Sequence, residues 1–445
     1  MPIEHWMQFS TFAEQDYFIY PDRETYDGIV LNANMIAHAS NGIASFLLSK
    51  KAVGTKYIID PMTHAFQHDP RFVCNNKNEP KASIRLLSEL YGKPVLDVAG
   101  KRPATIADFE SGSVLKSFSK GVVDFQNEYL NKFMQENESY KYFLEEDKRN
   151  LSPFAFVAPY FYVSELDFDE ISNLNVRFSE AARELVGEAP VYAFCVVSQG
   201  VISDDSIREE VARVYCSMPV DGYFVWVDSL NEREASGTEL RGLLDLCTKL
   251  RAGGTREVVN LHGGYFSIIS GGEAGGSCLT GVCHGPEFGE SRGVVPVGGG
   301  IPIARYYLPD VYSREKYRDV LRIILAAGWL RDAETFHQEI CSCDECRATL
   351  DGDVSRFSLF GDSDVKNIRR RNGIVRIDFP TTETKRRCLR HYLQCKKKEF
   401  GFANAAGKEE VFDGLDRNFK KWNEVAGSNF ASHLKIWKKV LKEYS

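Results

Sequence analysis

No stretch of this chain is apolar over the roughly 20 residues that a bilayer-spanning helix needs, so a membrane is not expected among its partners. The opening residues, MPIEHWMQFSTFAEQD, lack a basic segment followed by an apolar one, the pattern of an export signal. Cysteine is sparse, 11 in 445 residues, and Cys195, Cys216 and Cys247 stand singly in apolar runs. That usage excludes a disulfide-framed secreted scaffold and suits buried thiols in a reducing cytoplasm. There is no internal repeat and no low-complexity tract. No Gly-rich turn follows the first strand-like run, which argues against an open sheet built around a dinucleotide.

What is present is a globular composition, 43% hydrophobic and 26% charged. The length calls for one large domain of roughly 250 to 300 residues with an appendage, or for two to three smaller ones. Short β-rich runs alternate with helix-like stretches between about 25 and 310. The runs are GIVLNANMI (28–36), TKYIIDP (55–61), FAFVAPYFYV (154–163), VYAFCVVS (191–198), DGYFVWVD (221–228), EVVNLHG (257–263), SCLTGVC (277–283) and ARYYLP (304–309). Runs this apolar, joined by crossover helices, imply parallel strands buried on both faces. Eight of them predict an α/β fold, a TIM-type (β/α)8 barrel over residues 1–335. A polar segment at about 100–150 is expected to be an inserted helical lid or flank. Residues 336–445 form a separate subdomain that ends in two short amphipathic helices.

Charge is unevenly spread. The formal net charge is −7, yet residues 366–445 hold 20 Lys and Arg against 9 Asp and Glu, which leaves the rest strongly acidic. An acidic body with a basic end suggests a local face for a polyanion; a solvated helical surface explains the same charges.

Three cysteines crowd into EICSCDECRATL, at 341, 343 and 346. Such spacing lets one loop present several thiolates to one ion, and soft thiolates in a reducing compartment favour Zn²⁺ in a closed, structural four-ligand site. The fourth ligand has several candidates: His337 upstream, and Cys388, His391 and Cys395 in KRRCLRHYLQCKKK.

The C-x-C-x2-C pattern followed by a helix-borne His resembles the zinc site of the tRNA-guanine transglycosylase family. The likeness of LRHYL to that family's segment favours His391, giving Cys341, Cys343, Cys346 and His391 as ligands and making 351–380 an insert. Asp60, Phe66 and Gln67 in YIIDPMTHAFQ match the family's Asp-Ser-Gly-Gly-Phe-Gln stretch with two extra residues between. The resemblance implies that Asp60 acts at a glycosidic bond while Phe66 stacks on the target base and Gln67 helps bind it. An oxocarbenium-like sugar is stabilised by a nearby carboxylate, and an unstacked base needs a new aromatic partner. Glu165 stands where the family reads the base edge. Asp228, at a strand end, is the candidate for a second catalytic carboxylate, and it or Glu287 would be the substitute for the family's nucleophile. His262, His284, Glu287, Glu290 and Arg292 are further polar groups near strand ends, each with a cap or loop salt bridge as the plainer explanation.

The family's nucleophilic Asp falls here on Val282, next to Cys283. Without a covalent sugar ester, water captures the sugar, so excision of a modified base from DNA is preferred to base exchange. Divergent relatives of the family act on DNA, and the interrupted Asp motif is similar to theirs; phage DNA is one setting for such chemistry. The alternatives are guanine exchange in DNA or tRNA, and a silent nucleic-acid-binding barrel. The resemblance also allows a homodimer.

Overall fold

The computed structural model describes residues 2–9, 18, 26–51, 54–136, 152–251, 255–286, 290–295, 303–370, 373–427 and 429–444. The chain divides into two compact units, one of Met1–Gln15, Tyr26–Gly263 and Ser277–Pro296, the other of Asp16–Thr25, Gly264–Gly276 and Val297–Ser445.

The first unit is the barrel. Its strands are β1 (Glu4–Phe9), β2 (Gly28–Asn32), β3 (Lys56–Asp60), β4 (Phe156–Val157), β5 (Val191–Val197), β6 (Gly222–Val227), β7 (Glu257–Asn260) and β8 (Gly281–His284). All neighbours pair in parallel, and β1 lies between β2 and β8. Between β3 and β4, a parallel bridge joins Ile58 to Ala155, and the Phe154 N–H donates to the Tyr57 carbonyl at 2.7 Å. The eight-stranded parallel sheet is thereby nearly closed, a TIM-type barrel. Each strand sends a residue inward: Trp6, Val30, Ile58, Val157, Phe194, Phe224, Val259 and Cys283 pack together in the interior. Gly28 makes room for Trp6, since a Cβ there would lie 2.4 Å from its ring.

Seven of the eight expected runs form barrel strands. The first strand is instead EHWMQF, whose charged start hides an otherwise buried segment. The eighth run, ARYYLP, forms β9 (Arg305–Leu308), which pairs antiparallel with β10 (Ser313–Lys316) in the second unit. The expected boundary at 335 therefore falls inside that unit, because this hairpin packs on the helix Thr382–Ala405 and not in the barrel sheet.

The segment expected as a polar insert is helical over Gly112–Asp124 and Leu130–Glu136; residues 137–151 lie outside the described residues. It buries an apolar face, Leu115, Phe118, Val122, Leu130 and Met134, and so belongs to the crossover from β3 to β4.

β4 is the irregular strand, and the cause is local. Pro159 in FVAPYFYV has no N–H to donate and interrupts the ladder after two residues. Side chains take the ladder's place. Gln126 pairs with both main-chain groups of Val157, each at 2.8 Å. Thr63 does the same for Tyr160 at 2.6 and 2.8 Å, and Asn175 for Phe161 at 2.9 and 2.8 Å. Gln67 accepts from the Tyr162 N–H at 2.6 Å and donates to its carbonyl at 3.3 Å. Main-chain groups buried beside a broken strand need such partners.

The second unit is mainly helical. Beyond the β9–β10 hairpin it contains Tyr317–Ala326, Ala333–Glu339, Asp344–Leu350, Thr382–Ala405, Lys408–Ala426 and Ser432–Tyr444. The expected insert at 351–380 carries an antiparallel ribbon, β11 (Ser363–Arg370) and β12 (Gly373–Pro380). Within the long helix, Lys396 and Glu399 form a fully buried ion pair at 2.8 Å, with the Tyr307 hydroxyl on the second Glu399 oxygen. No described helix is long and apolar enough to cross a membrane.

Candidate functional site

Asp60 is the last residue of β3, two positions after the inward-facing Ile58. It therefore turns into the barrel at the C-terminal end of the strands, where barrel enzymes carry their chemistry. It is completely buried. Its Oδ1 accepts from the Tyr160 hydroxyl at 2.7 Å and from the Met62 N–H at 2.9 Å, while Oδ2 has no hydrogen-bond partner among the described residues. Burial pushes this carboxyl up to about 6; the Tyr160 and Met62 hydrogen bonds and the charge of Arg292 oppose that shift.

Behind Tyr160 stands His64, on the turn Thr63–Gln67. Its Nδ1 lies 2.9 Å from the Tyr160 oxygen. Because the Tyr160 hydroxyl donates to Asp60, that oxygen can only accept from His64, which places the ring proton on Nδ1 and leaves a lone pair on Nε2. Nε2 is buried and has no hydrogen-bond partner among the described residues. Desolvation, then the neighbouring His68 and Arg292, hold His64 well below the usual histidine range, so the ring is neutral. The result is a chain, His64 Nδ1–H to Tyr160 to Asp60, with an open acceptor at each end.

Three more imidazole and indole groups line the same region. His64 meets Trp226 edge-on at 5.3 Å and His68 at 5.5 Å; Trp226 meets His262 at 4.9 Å. The Nε2 atoms of His68 and His262 are also buried, with no partner among the described residues. Burial lowers both rings; Arg292 adds to the effect at His262, while a hydrogen bond with the Val294 main chain and then the Asp228 charge oppose it at His68. Four buried polar atoms, Asp60 Oδ2 and the three Nε2 atoms, thus gather in this one region without a partner among the described residues, where most buried polar atoms of a folded protein are paired.

The other expected residues are placed as follows. Asp228 follows the inward-facing Trp226 at the end of β6 and is half-buried; its Oδ1 accepts from the Val294 N–H at 2.7 Å and from the Ser229 hydroxyl at 3.1 Å. Glu165 is exposed, and its Oε2 accepts from Ser198 Oγ at 2.6 Å. Both Gln67 amide atoms are engaged by the Tyr162 main chain. Phe66 is buried, with its ring edge-on to Tyr91 at 6.2 Å, in an aromatic cluster with Phe118 and Phe125. The half-buried aromatic against the barrel interior is Tyr162. Val282 precedes the inward-facing Cys283 and so points to the opposite face of β8. His284 makes a 2.8 Å contact with His5 through their Nε2 atoms, and Glu287 lies outside the described residues. The structure thus joins Asp60 to His64 and Tyr160, which no sequence motif had singled out. The available signal was the histidine four residues after Asp60 and the proline that breaks the fourth strand.

Comparisons add little to this geometry. No family model and no curated protein matches the chain. Among solved structures, an intracellular xylanase from Thermoanaerobacterium saccharolyticum, in complex with xylotriose, aligns over 66% of this chain and 86% of its own, at 8% identity and a TM-score of 0.36. So distant a likeness bears on neither site nor substrate.

The candidate metal centre lies in the second unit. The donor atoms of Cys341, Cys343, His391 and Cys395 all fall within 4.8 Å of one another, and all four residues are buried. The Cys346 sulfur is also close, 3.4 Å from His391 Nδ1, and contacts the Tyr306 hydroxyl at 3.1 Å. Cys395 thus joins the expected ligands. It sits one helical turn after His391 on Thr382–Ala405, so both donors share a face.

The distances suit a small tetrahedral cation. Bonds of about 2.1 to 2.3 Å imply ligand–ligand edges of about 3.5 to 3.8 Å. His391 Nδ1 lies 3.3 Å from Cys343, 3.6 Å from Cys395 and 3.7 Å from Cys341; Cys341 and Cys395 are 3.8 Å apart. Main-chain N–H groups of Cys343 and Cys346 point at the sulfurs of Cys341 and Cys343, each at 3.4 Å. His391 Nε2 lies 2.7 Å from the Tyr307 carbonyl, which fixes the proton there and frees Nδ1 for an ion. Hydrogen bonds from Cys343, Cys346 and Cys395 hold the Cys341 thiol well below its ordinary range. This cluster can hold a metal ion such as zinc. His337 instead approaches the Cys341 carbonyl, at 2.9 Å, and Cys388 donates to the Phe360 carbonyl, so neither competes as a ligand.

Proposed function

We propose that this chain hydrolyses an N-glycosidic bond in DNA, excising a modified base and leaving an abasic site. The observation that carries the reading is Asp60: a buried strand-end carboxylate with one oxygen held by Tyr160 and Met62 and the other open. As the bond to the base breaks, positive charge grows on the sugar, and Oδ2 of ionised Asp60 stabilises it. His64 Nε2 takes a proton from the attacking water. The water oxygen bonds to the sugar carbon, and the proton goes on to the departing base nitrogen. Tyr160 couples the two groups, so charge gained by His64 is offset by Asp60. Tyr162, with Phe66 committed to the core, supplies the ring against which an extruded base rests. Gln67 acts as a positioning residue that holds Tyr162.

Two features support hydrolysis over exchange and over a silent barrel. No carboxylate stands at Val282, the position of the transglycosylase nucleophile. A barrel without chemistry has no reason to keep open polar atoms that cost about 1 to 3 kcal/mol each. Zn²⁺ held by the Cys/His cluster is structural in this reading: protein ligands fill every position and leave none for a catalytic water. The basic stretches of residues 366–445 supply phosphate contacts.

The test is incubation of the pure protein with modified DNA, unmodified DNA and tRNA, followed by detection of free base and of alkali-labile sites. Base released from DNA without uptake of labelled guanine supports excision. Guanine uptake establishes exchange instead, and a complete lack of reaction on all three substrates would leave only a binding role.

A further inference from the structure

The ribbon β11–β12 is an exposed regular feature of the second unit. Its strands pair from Ser363↔Pro380 to Arg370↔Gly373, eight residues each, which at about 3.4 Å per residue gives a reach of roughly 25 Å. Nearly every described side chain on it is exposed, including Ile374 at 73%, Val365 at 49% and Val375 at 42%. A two-stranded ribbon with both faces in water is marginal by itself and gains from a partner. Alternation along the strands puts Val365, Asn367 and Arg369 of β11 on the same face as Ile374, Arg376 and Asp378 of β12. In the register, Arg369 faces Ile374 and Asn367 faces Arg376. Lys366, on the other face, lies over the Phe379 ring at 5.3 Å. No carboxylate pairs with Lys366, Arg369 or Arg376 among the described residues, whereas the ribbon's Asp378 is engaged by Arg318 at 3.3 Å.

We propose that this ribbon seats in the major groove of a DNA duplex. Cations without a carboxylate partner on an exposed strand pair complement phosphates, which lie on both sides of a groove about 12 Å wide that admits a two-stranded ribbon. Arg369 and Arg376 neutralise phosphates or reach guanine edges. Asn367 reads adenine, and Ile374 rests on thymine methyl groups. The proposal rests on the DNA reading above and adds the element that grips the duplex.

The experiment uses the full chain and measures fluorescence anisotropy with a 30-base-pair DNA duplex, the matching single strand and the matching RNA duplex, across a salt series. The same samples are assayed for released base. The triple variant Lys366→Ser, Arg369→Ser, Arg376→Ser should bind duplex DNA at least tenfold more weakly. Its log–log salt slope should fall by about 0.9 for each phosphate no longer neutralised, roughly 2 to 3 in all. Ile374→Ser should bind severalfold more weakly at an unchanged slope. Unchanged melting temperature and metal content in both variants exclude a folding defect, and wild-type protein should protect guanine N7 from methylation. Unchanged affinity and slope in the triple variant overturn the ribbon's role, as does ribbon-dependent binding that is equally tight on RNA or single strands. Base release with ribbon-independent binding sinks this inference alone. Ribbon-dependent binding with no base released sinks the excision reading alone, and absence of any nucleic-acid binding sinks both.

Discussion

Asp60 holds its proton up to about pH 6 because burial outweighs its two hydrogen bonds and the pull of Arg292. A carboxyl whose folded pKa exceeds its unfolded value stabilises the fold below the unfolded pKa, near 3.8, and that contribution is lost as pH rises through 6. Asp60→Asn keeps an oxygen for Tyr160 and Met62 but carries no charge. Its unfolding free energy at pH 7.5 should exceed wild type by up to about 3 kcal/mol, two pKa steps, with the gain gone at pH 4. Denaturant titration at both pH values checks this. The same variant should lose base release by about 10²-fold or more. In the wild type, release should climb tenfold per pH unit towards 6 and then level. Tyr160→Phe removes a bond that holds the Asp60 pKa down, so the bend in the pH–rate profile should move to higher pH. The Asp was legible as a charged residue closing an apolar strand. Its partners were not, because hydrogen-bonded neighbours 100 positions apart leave no trace in local pattern.

At the level of elements, the interrupted β4 shows both the reach and the limit of periodicity. The apolar run 154–163 correctly announced a strand, yet Pro159 meant that side chains from three other segments would hold it, and no spacing encodes that. ARYYLP misled because an apolar, β-branched or aromatic run does not state which sheet it joins; β1 was missed because Glu4 and His5 mask its burial. Replacing Gln126 by Leu strips both main-chain groups of Val157 of a partner. A cost of about 2 to 4 kcal/mol is expected, seen as a lower melting temperature with faster amide exchange from 157 to 162. In the metal knuckle, five donors compete for four places. Cys346→Ser or Cys395→Ser should each retain one bound zinc, since four donors remain, whereas the double variant Cys346→Ser, Cys395→Ser, with three left, should not; atomic absorption on purified protein decides. On the helix Thr382–Ala405, Glu399→Gln strands the buried Lys396 charge, and a loss of about 3 to 5 kcal/mol should appear in urea unfolding.

Across the whole molecule, the sequence announced an eight-stranded barrel with a cysteine-bearing appendage, because parallel strands buried on both faces and close thiol spacing are strong signals. The boundary was harder to read, since compactness depends on which elements pack together and not on their order along the chain. The order itself carries a consequence. The second unit is drawn from three separate stretches, and one of them, Gly264–Gly276, interrupts the barrel between its seventh and eighth strands. During synthesis the ribosome therefore emits part of one unit before the other has its last strand. No single cut of the gene yields either body intact: a fragment ending at 296 would carry twenty-three residues of the other unit, 16–25 and 264–276, torn from their neighbours, and should prove insoluble where the full chain is not.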